Sequence, residues 1–562
     1  MLLERYLERT EFRNYEDFSA NYQLNVPENF NFGYDVVDAW AESEPEKRAL
    51  VWCNDHDEER IFTFAEMKRL SNRAANFFAS LGIQKGDRVM LFLGRRWQYW
   101  PTAVALHKLG AILIPASTQL TVKDVKYRCG AAGIKAIIAL CNDYVIEQIN
   151  LAIPECSTVE HKIMADIREN CVCDKTGWLD WDAEVAAQSD VFERPTGDAA
   201  TNNEEIFLTY FTSGTAGMPK MVAHNHIYPL GHILTAKYWQ RVINNKLHFT
   251  ISDSGWAKFG WGKIYGQWIC GAAIFAYDMD KFVPKKLLEK IVKYQPATFC
   301  APPTMFRFMI QEDLSGYDLS FIKHCATAGE PLNPEVYNRW KELTGLELCE
   351  GFGQSESPVL LANYDGFTPR PGSMGKPSPT FNLDIIDDEG NSCDVGEEGE
   401  IVVRDIDKHM PTGLFVALYN DAEATKRILG GTMYRTGDIA WRDSKGYYWF
   451  VGRADDVIKC SGYRIGPFEV ESALMEHPAV VECAITAAPD PIRGQVVKAT
   501  IILAKGYTGS DALAKELQEH VKHATAPYKY PRIVEFAAEL PKTTSGKIRR
   551  VEIRENSQKD AE

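Results

Sequence analysis

The sequence predicts an α/β protein whose largely parallel sheet is covered on both faces by helices and is followed by a smaller α+β domain. Three observations carry this. From Phe32 to Ile206 helix-like and strand-like segments alternate, as they do when parallel strands are joined by crossover helices. Stretches with apolar residues at helical spacing end near glycine, and short apolar runs bounded by glycine follow them. A charged, glycine-punctuated connection, Gly452 to Glu471, then separates this body from a second alternation of helix and strand.

Size and composition agree with several domains. The chain has 562 residues, 45% hydrophobic and 25% charged, enough for a large core. Its net charge of -15 argues against a general binder of nucleic acid or anionic membrane, since either wants a basic face. The 13 cysteines are scattered. Only Cys171 and Cys173 lie close together, without a matching second pair, so they read as reduced thiols in a cytoplasmic protein.

In chain order, Leu2, Leu3, Tyr6 and Leu7 fall at helical spacing and predict an amphipathic helix docked on the body. Glu4, Glu8 and Glu11 interrupt any secretory or acid-poor transit pattern. FTFAEMKRLSNRAANFFASLGI is a helix ending near Gly82, GDRVMLFLG a strand, and WPTAVALHKLGAILIPA repeats the theme with His107 and Lys108 as packing or surface residues. The polar stretch 170–203 reads as a surface excursion. The most apolar later run, Gly266 to Tyr277, is shorter than the roughly 20 residues a bilayer requires, so no membrane insertion is expected.

The chemistry centres on YFTSGTAGMPKMV, Tyr210 to Val222. Gly214 and Gly217 let backbone N–H groups turn toward an anion, Thr212, Ser213 and Thr215 add hydroxyl donors, and Lys220 adds a mobile positive charge. A polyphosphate suits this loop, although the Walker spacing is absent. Downstream, Trp256, Phe259 and Trp261 are interleaved with Gly255, Gly260 and Gly262, which leave concavity beside the rings for an apolar pocket. Lys258 and Lys263 read first as solvent-facing and second as lining the approach of an anionic substrate. The turn Ala328 to Pro331 stands at the carboxyl end of a strand, where open α/β sheets bind ligands. Asp438 offers a carboxylate that accepts two hydrogen bonds side by side, and PKTTSGKIRR is a basic loop suited to phosphate.

SGTAGMPK resembles the phosphate loop of the adenylate-forming superfamily, which includes acyl-CoA synthetases, adenylation domains of peptide synthetases and luciferases. The family's other motifs follow in order as GEP, GFGQSES, GSMGKP, YRTGD, GRADDVIKCSGYRIGPFEVE and PKTTSGKIRR. The resemblance runs from Tyr210 to Arg550. It implies an N-terminal domain over 1–454, with a β-rich subdomain beside the parallel sheets, and a mobile C-terminal domain over 455–562 that pivots at Asp455.

The resemblance also implies a set of roles. Gly329, Glu330 and Pro331 contact adenine, Phe352 stacks on it, and Gly353, Gln354 and Ser355 continue the ATP site with the hydroxyl on the α-phosphate. Glu356 meets magnesium, which prefers carboxylate and phosphate oxygen. Asp438 holds the ribose, Arg453 lies near it, and Arg464 lies near the adenylate. Lys547 reaches the α-phosphate, and Ser461, Gly462 and Tyr463 border the pantetheine tunnel of CoA.

The substrates implied are a small carboxylic acid, ATP and CoA, with room for a homodimer. Acetyl- and propionyl-activating members carry tryptophan where this chain has Gly353. The missing ring implies an acyl pocket longer by several methylenes, each worth about 0.8 kcal/mol when buried. The chain therefore resembles the medium-chain acyl-CoA synthetases more than the acetate enzymes, with a medium or branched fatty acid as substrate. A benzoate-like acid and the loading of a carrier protein are the alternatives. Aspartate is absent between Gly255 and Gln267, which argues against an α-amino acid.

Overall fold

The computed structural model of the chain describes residues 2–168, 171–212, 218–364, 366, 369–460, 463–490, 493–542 and 548–559. The alternation seen in the sequence forms two large sheets. In the eight-stranded one, His161–Ala165, Ala136–Leu140, Arg88–Phe92, Ile112–Pro115 and Ile206–Thr212 run parallel, and Lys220–Asn225 closes back antiparallel on the last of them. Helix Phe64–Ser80 packs against helix Tyr99–Leu109, with Met67, Ala74, Ala75 and Phe78 fully buried. Thr63 and Glu66 cap its start reciprocally, and Gly82 at φ 75° follows its end.

The thirteen-stranded sheet changes character half way along. Arg48–Asn54, Ala273–Asp278, Leu247–Thr250, Thr298–Ala301, His324–Thr327 and Leu348–Phe352 are parallel. Gly351 then pairs antiparallel with Ala362, and the strands beyond, Ser373–Pro377 to Tyr448–Arg453, are antiparallel, with helix Ala422–Leu429 in the longest of their connections. This half is the β-rich region. A separate five-stranded sheet follows, built on the pair Val480–Asp490 and Gly494–Leu503. With helices Pro467–Met475 and Asp511–Ala524 it encloses its own core, including Ile485, Val497, Ile501 and Leu517.

Two local expectations change. The N-terminus is not an amphipathic α-helix but a single 3-10 turn, Leu2–Arg5, because Leu7 leaves the helix to bridge Leu24. Its apolar side chains are nevertheless buried, and the Tyr6 hydroxyl donates to the Asp35 carbonyl at 2.9 Å. The stretch 170–203 is not wholly surface: Trp178–Asp180 adds an edge strand, and Trp181 packs edge-on against Trp97.

His107 and Lys108 are both fully buried. His107 stacks on Phe207, and the Lys108 ammonium donates to Asp38 at 2.7 Å and to Asn72 at 2.6 Å. They are packing residues. The burial of Lys108 is tolerable because its ammonium faces two oxygens.

Candidate active site

The site lies where parallel pairing gives way to antiparallel pairing, at the end of strand Leu348–Phe352. The preceding strand, His324–Thr327, runs into the turn Ala328 to Pro331, in which Gly329 adopts φ 102°. A side chain resists that conformation, so glycine is required there. Glu350 ties this turn to the next strand, its Oε1 accepting from the Leu332 N–H at 3.3 Å.

Burial pushes the Glu350 carboxyl up to about 8, and its second oxygen has no partner among the described residues. Between the ordinary carboxylate value and about 8 the unfolded chain releases this proton while the folded chain keeps it. Stability is therefore lost as pH rises through that window. Glu350→Gln, which keeps the acceptor and removes the charge, is expected to raise the unfolding temperature more at about pH 9 than at about pH 4. Thermal unfolding scans of the two proteins check this, and an equal shift at both values would contradict it.

Gln354 leaves the strand end and joins the β-rich half. Its amide nitrogen donates to Asp438 Oδ2 at 2.5 Å and to the Thr436 carbonyl at 2.8 Å, while the Tyr434 hydroxyl donates to its Oε1 at 2.7 Å. Asp438 faces Arg453 across the ladder, with Nη1 at 3.2 Å from Oδ1, and Arg453 Nε lies 3.7 Å from Asp455. Burial opposes the charge of Arg453, and Asp438 and Asp455 outweigh it, so the guanidinium is held charged. Gln354, Asp438, Arg453 and Asp455 thus form one network.

The same segment is fastened to the other sheet. His224 Nε2 donates to the Ser355 carbonyl at 2.8 Å. Burial pulls this histidine down to about 3, so it is neutral near pH 7 and positions the Ser355 loop without exchanging protons. The Glu356 carbonyl accepts from the Phe415 N–H at 2.8 Å, and Val416 and Ala417 pair with Ala223 on strand Lys220–Asn225. Residues 415–418 therefore hold Glu356 beside the strand that begins with Lys220.

The charges act on one another. Burial raises the Glu356 carboxyl above its ordinary value, and Asp438 adds to the rise, while Arg453 and Lys220 oppose it. A buried carboxyl that is costly to ionise, set beside a lysine and an arginine, fits a hard divalent cation brought in with a polyphosphate. Glu356 is the residue that would hold magnesium here, and the ion would supply positive charge to the phosphate oxygens.

The remaining ATP-site candidates divide. Thr212 is half-buried and faces Lys220 across the hairpin, and Lys220 is exposed. Phe352 is half-buried with its ring 6.5 Å from that of Phe450. Glu330 accepts from Thr304 Oγ1 at 2.7 Å, beside half-buried Pro331. Ser213, Gly214 and Thr215, Ser461 and Gly462, and Lys547 lie outside the described residues. Tyr463 opens the short strand Tyr463–Ile465. Arg464 on that strand is ion-paired with Asp388 and is not among the groups gathered around Asp438.

The aromatic segment corrects three expectations. Gly353 does not leave an open space: a Cβ there would lie 2.4 Å from the Trp261 ring and 2.6 Å from the Pro358 carbonyl. Trp261 fills the room that the missing side chain vacates, with Trp239 edge-on behind it at 6.0 Å. Gly255, Gly260 and Gly262 provide close approach rather than concavity, since a Cβ on each would collide with Ser117 backbone, the Tyr210 hydroxyl and the Thr250 side chain respectively. Phe259 turns away into the core against Tyr99, whereas Trp256 is half-buried.

Neither lysine of this segment is solvent-facing. Half-buried Lys258 donates to the Ala328 carbonyl at 2.6 Å, next to Gly329. Lys263 is 1% exposed with its ammonium over the rings of Phe259 and Phe249. Burial first, and then Arg95, bring Lys263 down to about 7. Reading the sequence missed His224, Tyr434 and Glu350 as positioning residues. Tyr434 opens the YRTGD stretch and could have been found there, whereas His224 and Glu350 show no local signal.

Known proteins share this architecture. A profile of the AMP-binding enzymes matches residues 37–409, and one of the AMP-binding enzyme C-terminal domain matches 469–547. The chain is 41% identical to the mitochondrial acyl-coenzyme A synthetase ACSM3 of Pongo abelii, over 98% of this chain and 93% of that protein. Among solved structures it is similar to the anthranilate CoA ligase AuaEII in complex with anthranoyl-AMP, with a TM-score of 0.85 and 28% identity over 95% of this chain and 99% of that one. It is also similar to an acyl-CoA synthetase of Brucella canis, with a TM-score of 0.72 and 29% identity over 98% and 100% of the two chains.

Proposed function

The chain belongs to the AMP-binding enzyme family, and on that premise we propose that it is an AMP-forming acyl-CoA synthetase that joins a medium-chain or branched fatty acid to CoA. The observation that carries this reading is the gathering of Glu356, Asp438, Gln354 and Arg453 at the end of strand Leu348–Phe352, with Lys220 held alongside. These residues supply what adenylation needs: a carboxylate pair for ribose and metal, and cations for phosphate.

In the first half-reaction the substrate carboxylate attacks the α-phosphorus of ATP, forming acyl adenylate and releasing pyrophosphate. The chain needs no nucleophile of its own. Its part is to place the carboxylate in line and to stabilise charge on the phosphate oxygens. Asp438, kept in place by Gln354 and Arg453, takes the ribose hydroxyls. Lys220, the hydroxyls of Thr212, Ser213 and Thr215, and Lys547 face the phosphates. In the second half-reaction the CoA thiol attacks the acyl carbonyl, its proton passes to solvent, and AMP leaves.

The domain boundary at 454/455 and the pivot at Asp455 serve this sequence of steps. Turning the C-terminal domain withdraws Lys547 and brings Ser461, Gly462 and Tyr463 to the pantetheine path. The network reaching Asp455 through Arg453 supports this reading, because it joins the pivot to the ribose carboxylate.

Trp261 is proposed as the wall that the acyl chain meets, with Gly353 making room for it. No described helix is long and apolar enough to cross a membrane. Pyrophosphate release is the test, measured with ATP, magnesium and CoA across acetate, branched acids, linear acids of increasing length and benzoate. A maximum among branched or medium-chain acids that requires CoA for turnover is expected. A maximum at benzoate would replace the substrate class, and turnover with a holo-carrier protein but not with CoA would replace the acceptor.

A further inference from the structure

Away from the cleft, at the carboxyl ends of strands Ala136–Leu140 and His161–Ala165, three cysteines converge. Cys141 follows the first strand, and Cys171 and Cys173 lie in the connection from the second strand to Trp178–Asp180. Their sulfur atoms all lie within 4.8 Å of one another, and those of Cys171 and Cys173 are 3.2 Å apart. Cys141 and Cys171 are buried, and Cys173 is half-buried. The close spacing of Cys171 and Cys173 alone lacked a metal pattern. The fold supplies the missing ligand from a distant part of the chain.

A carboxylate lies beside the group. Asp143 Oδ1 lies 3.2 Å from Cys171 Sγ and accepts from the Cys173 N–H at 2.9 Å. Asp143 is the first residue of helix Asp143–Ala152, whose N-terminus favours negative charge, and Asn142 caps that helix by accepting from the Val145 N–H. Lys175 donates to the Cys171 carbonyl at 2.9 Å and brings a cation to the same loop. Tetrahedral zinc, with bonds of about 2.3 Å to sulfur and 2.0 Å to oxygen, places two sulfurs about 3.8 Å apart and sulfur and oxygen about 3.5 Å apart. The sulfur separations, 3.2 Å for one pair and no more than 4.8 Å for the others, span the first of those values.

We propose that Cys141, Cys171 and Cys173 hold a structural zinc ion that pins the connection after strand His161–Ala165 to the end of strand Ala136–Leu140. Three thiolates suit zinc, and water takes the fourth position on the half-buried Cys173 side. Each sulfur–zinc bond forms as a thiol releases its proton to solvent, so binding releases three protons and strengthens with pH. The pinned connection also carries Asp166 and Arg168, which pair with Arg96 and Glu58. Zinc would thereby steady contacts between the two large sheets.

The test uses the full chain without an affinity tag, loaded with zinc chloride under reducing conditions and then desalted. Elemental analysis is expected to find one zinc per chain, and cobalt substitution to give the thiolate-to-cobalt charge-transfer absorption of a tetrahedral site. Cys141→Ser and Cys173→Ser are each expected to weaken zinc retention against a chromogenic chelator by at least about tenfold, with acid-dependent pyrophosphate release retained. The proposal is overturned if the wild-type chain retains no zinc, if Cys141→Ser retains as much as wild type, or if the freshly purified chain holds Cys171 and Cys173 as a disulfide. Should the serine variants fail to fold, the cobalt spectrum of the wild-type chain decides, and absence of the sulfur band overturns the site.

Discussion

Lys547→Ala is expected to slow adenylation by about a hundredfold to a thousandfold, the usual cost of removing one donor aimed at transition-state charge, while sparing thioester formation from supplied acyl adenylate. The split follows from where the lysine is attached. Lys542 bridges Ile548, and the Arg549 N–H donates to the Pro541 carbonyl at 2.8 Å, so the loop that carries Lys547 is closed at its base. Arg550 then grips Glu471 at 2.6 and 2.8 Å, and Arg554 pairs with Asp456 at 2.5 Å. The residues flanking Lys547 are thus fixed beside the proposed pivot, and in the proposed domain motion they travel with the C-terminal domain. A group that moves away between half-reactions contributes to only one of them. Single-turnover rates of both half-reactions check this, and equal loss in both would remove Lys547 from the adenylation role.

Trp261→Ala is expected to move the acyl preference toward longer chains by about fiftyfold in kcat/KM for decanoate relative to butyrate. Removing the indole opens room for roughly three further methylenes at about 0.8 kcal/mol each, about 2.4 kcal/mol in total. The ring is 5% exposed and its edge occupies the space beside Gly353, so its loss opens a defined volume. Trp261→Phe is expected to fall between. A preference unchanged by either substitution would place the acyl chain elsewhere. Gly353→Trp, in contrast, is expected to cripple folding or activity, because its Cβ alone would collide with Trp261.

The parts of this protein that were legible in the sequence are those encoded locally. Alternating apolar periods foretold the parallel sheets, since each helix and strand buries its own face. YRTGD and GFGQSES pointed to one site from separate stretches, and the structure joins them through the hydrogen bond from Gln354 to Asp438. What could not be read depends on neighbours remote in the chain. Gly353 looked like an opening because the residue that fills it, Trp261, belongs to another strand connection. Lys263 looked solvent-facing because a lysine at a helix end usually is, and only the packing of Phe249 and Phe259 shows it buried. Cys171 and Cys173 looked isolated until Cys141 arrived from the neighbouring strand.

Catalysis through a bound acyl adenylate is the claim on which the rest depends. The most direct measurement is to mix enzyme with ATP, magnesium and octanoate in the absence of CoA, identify the enzyme-bound product by mass spectrometry, and then add CoA. Octanoyl-AMP is expected to accumulate with release of pyrophosphate, and to convert to octanoyl-CoA with release of AMP when CoA is added. Formation of ADP, or of octanoyl-CoA without prior octanoyl-AMP, would contradict the account.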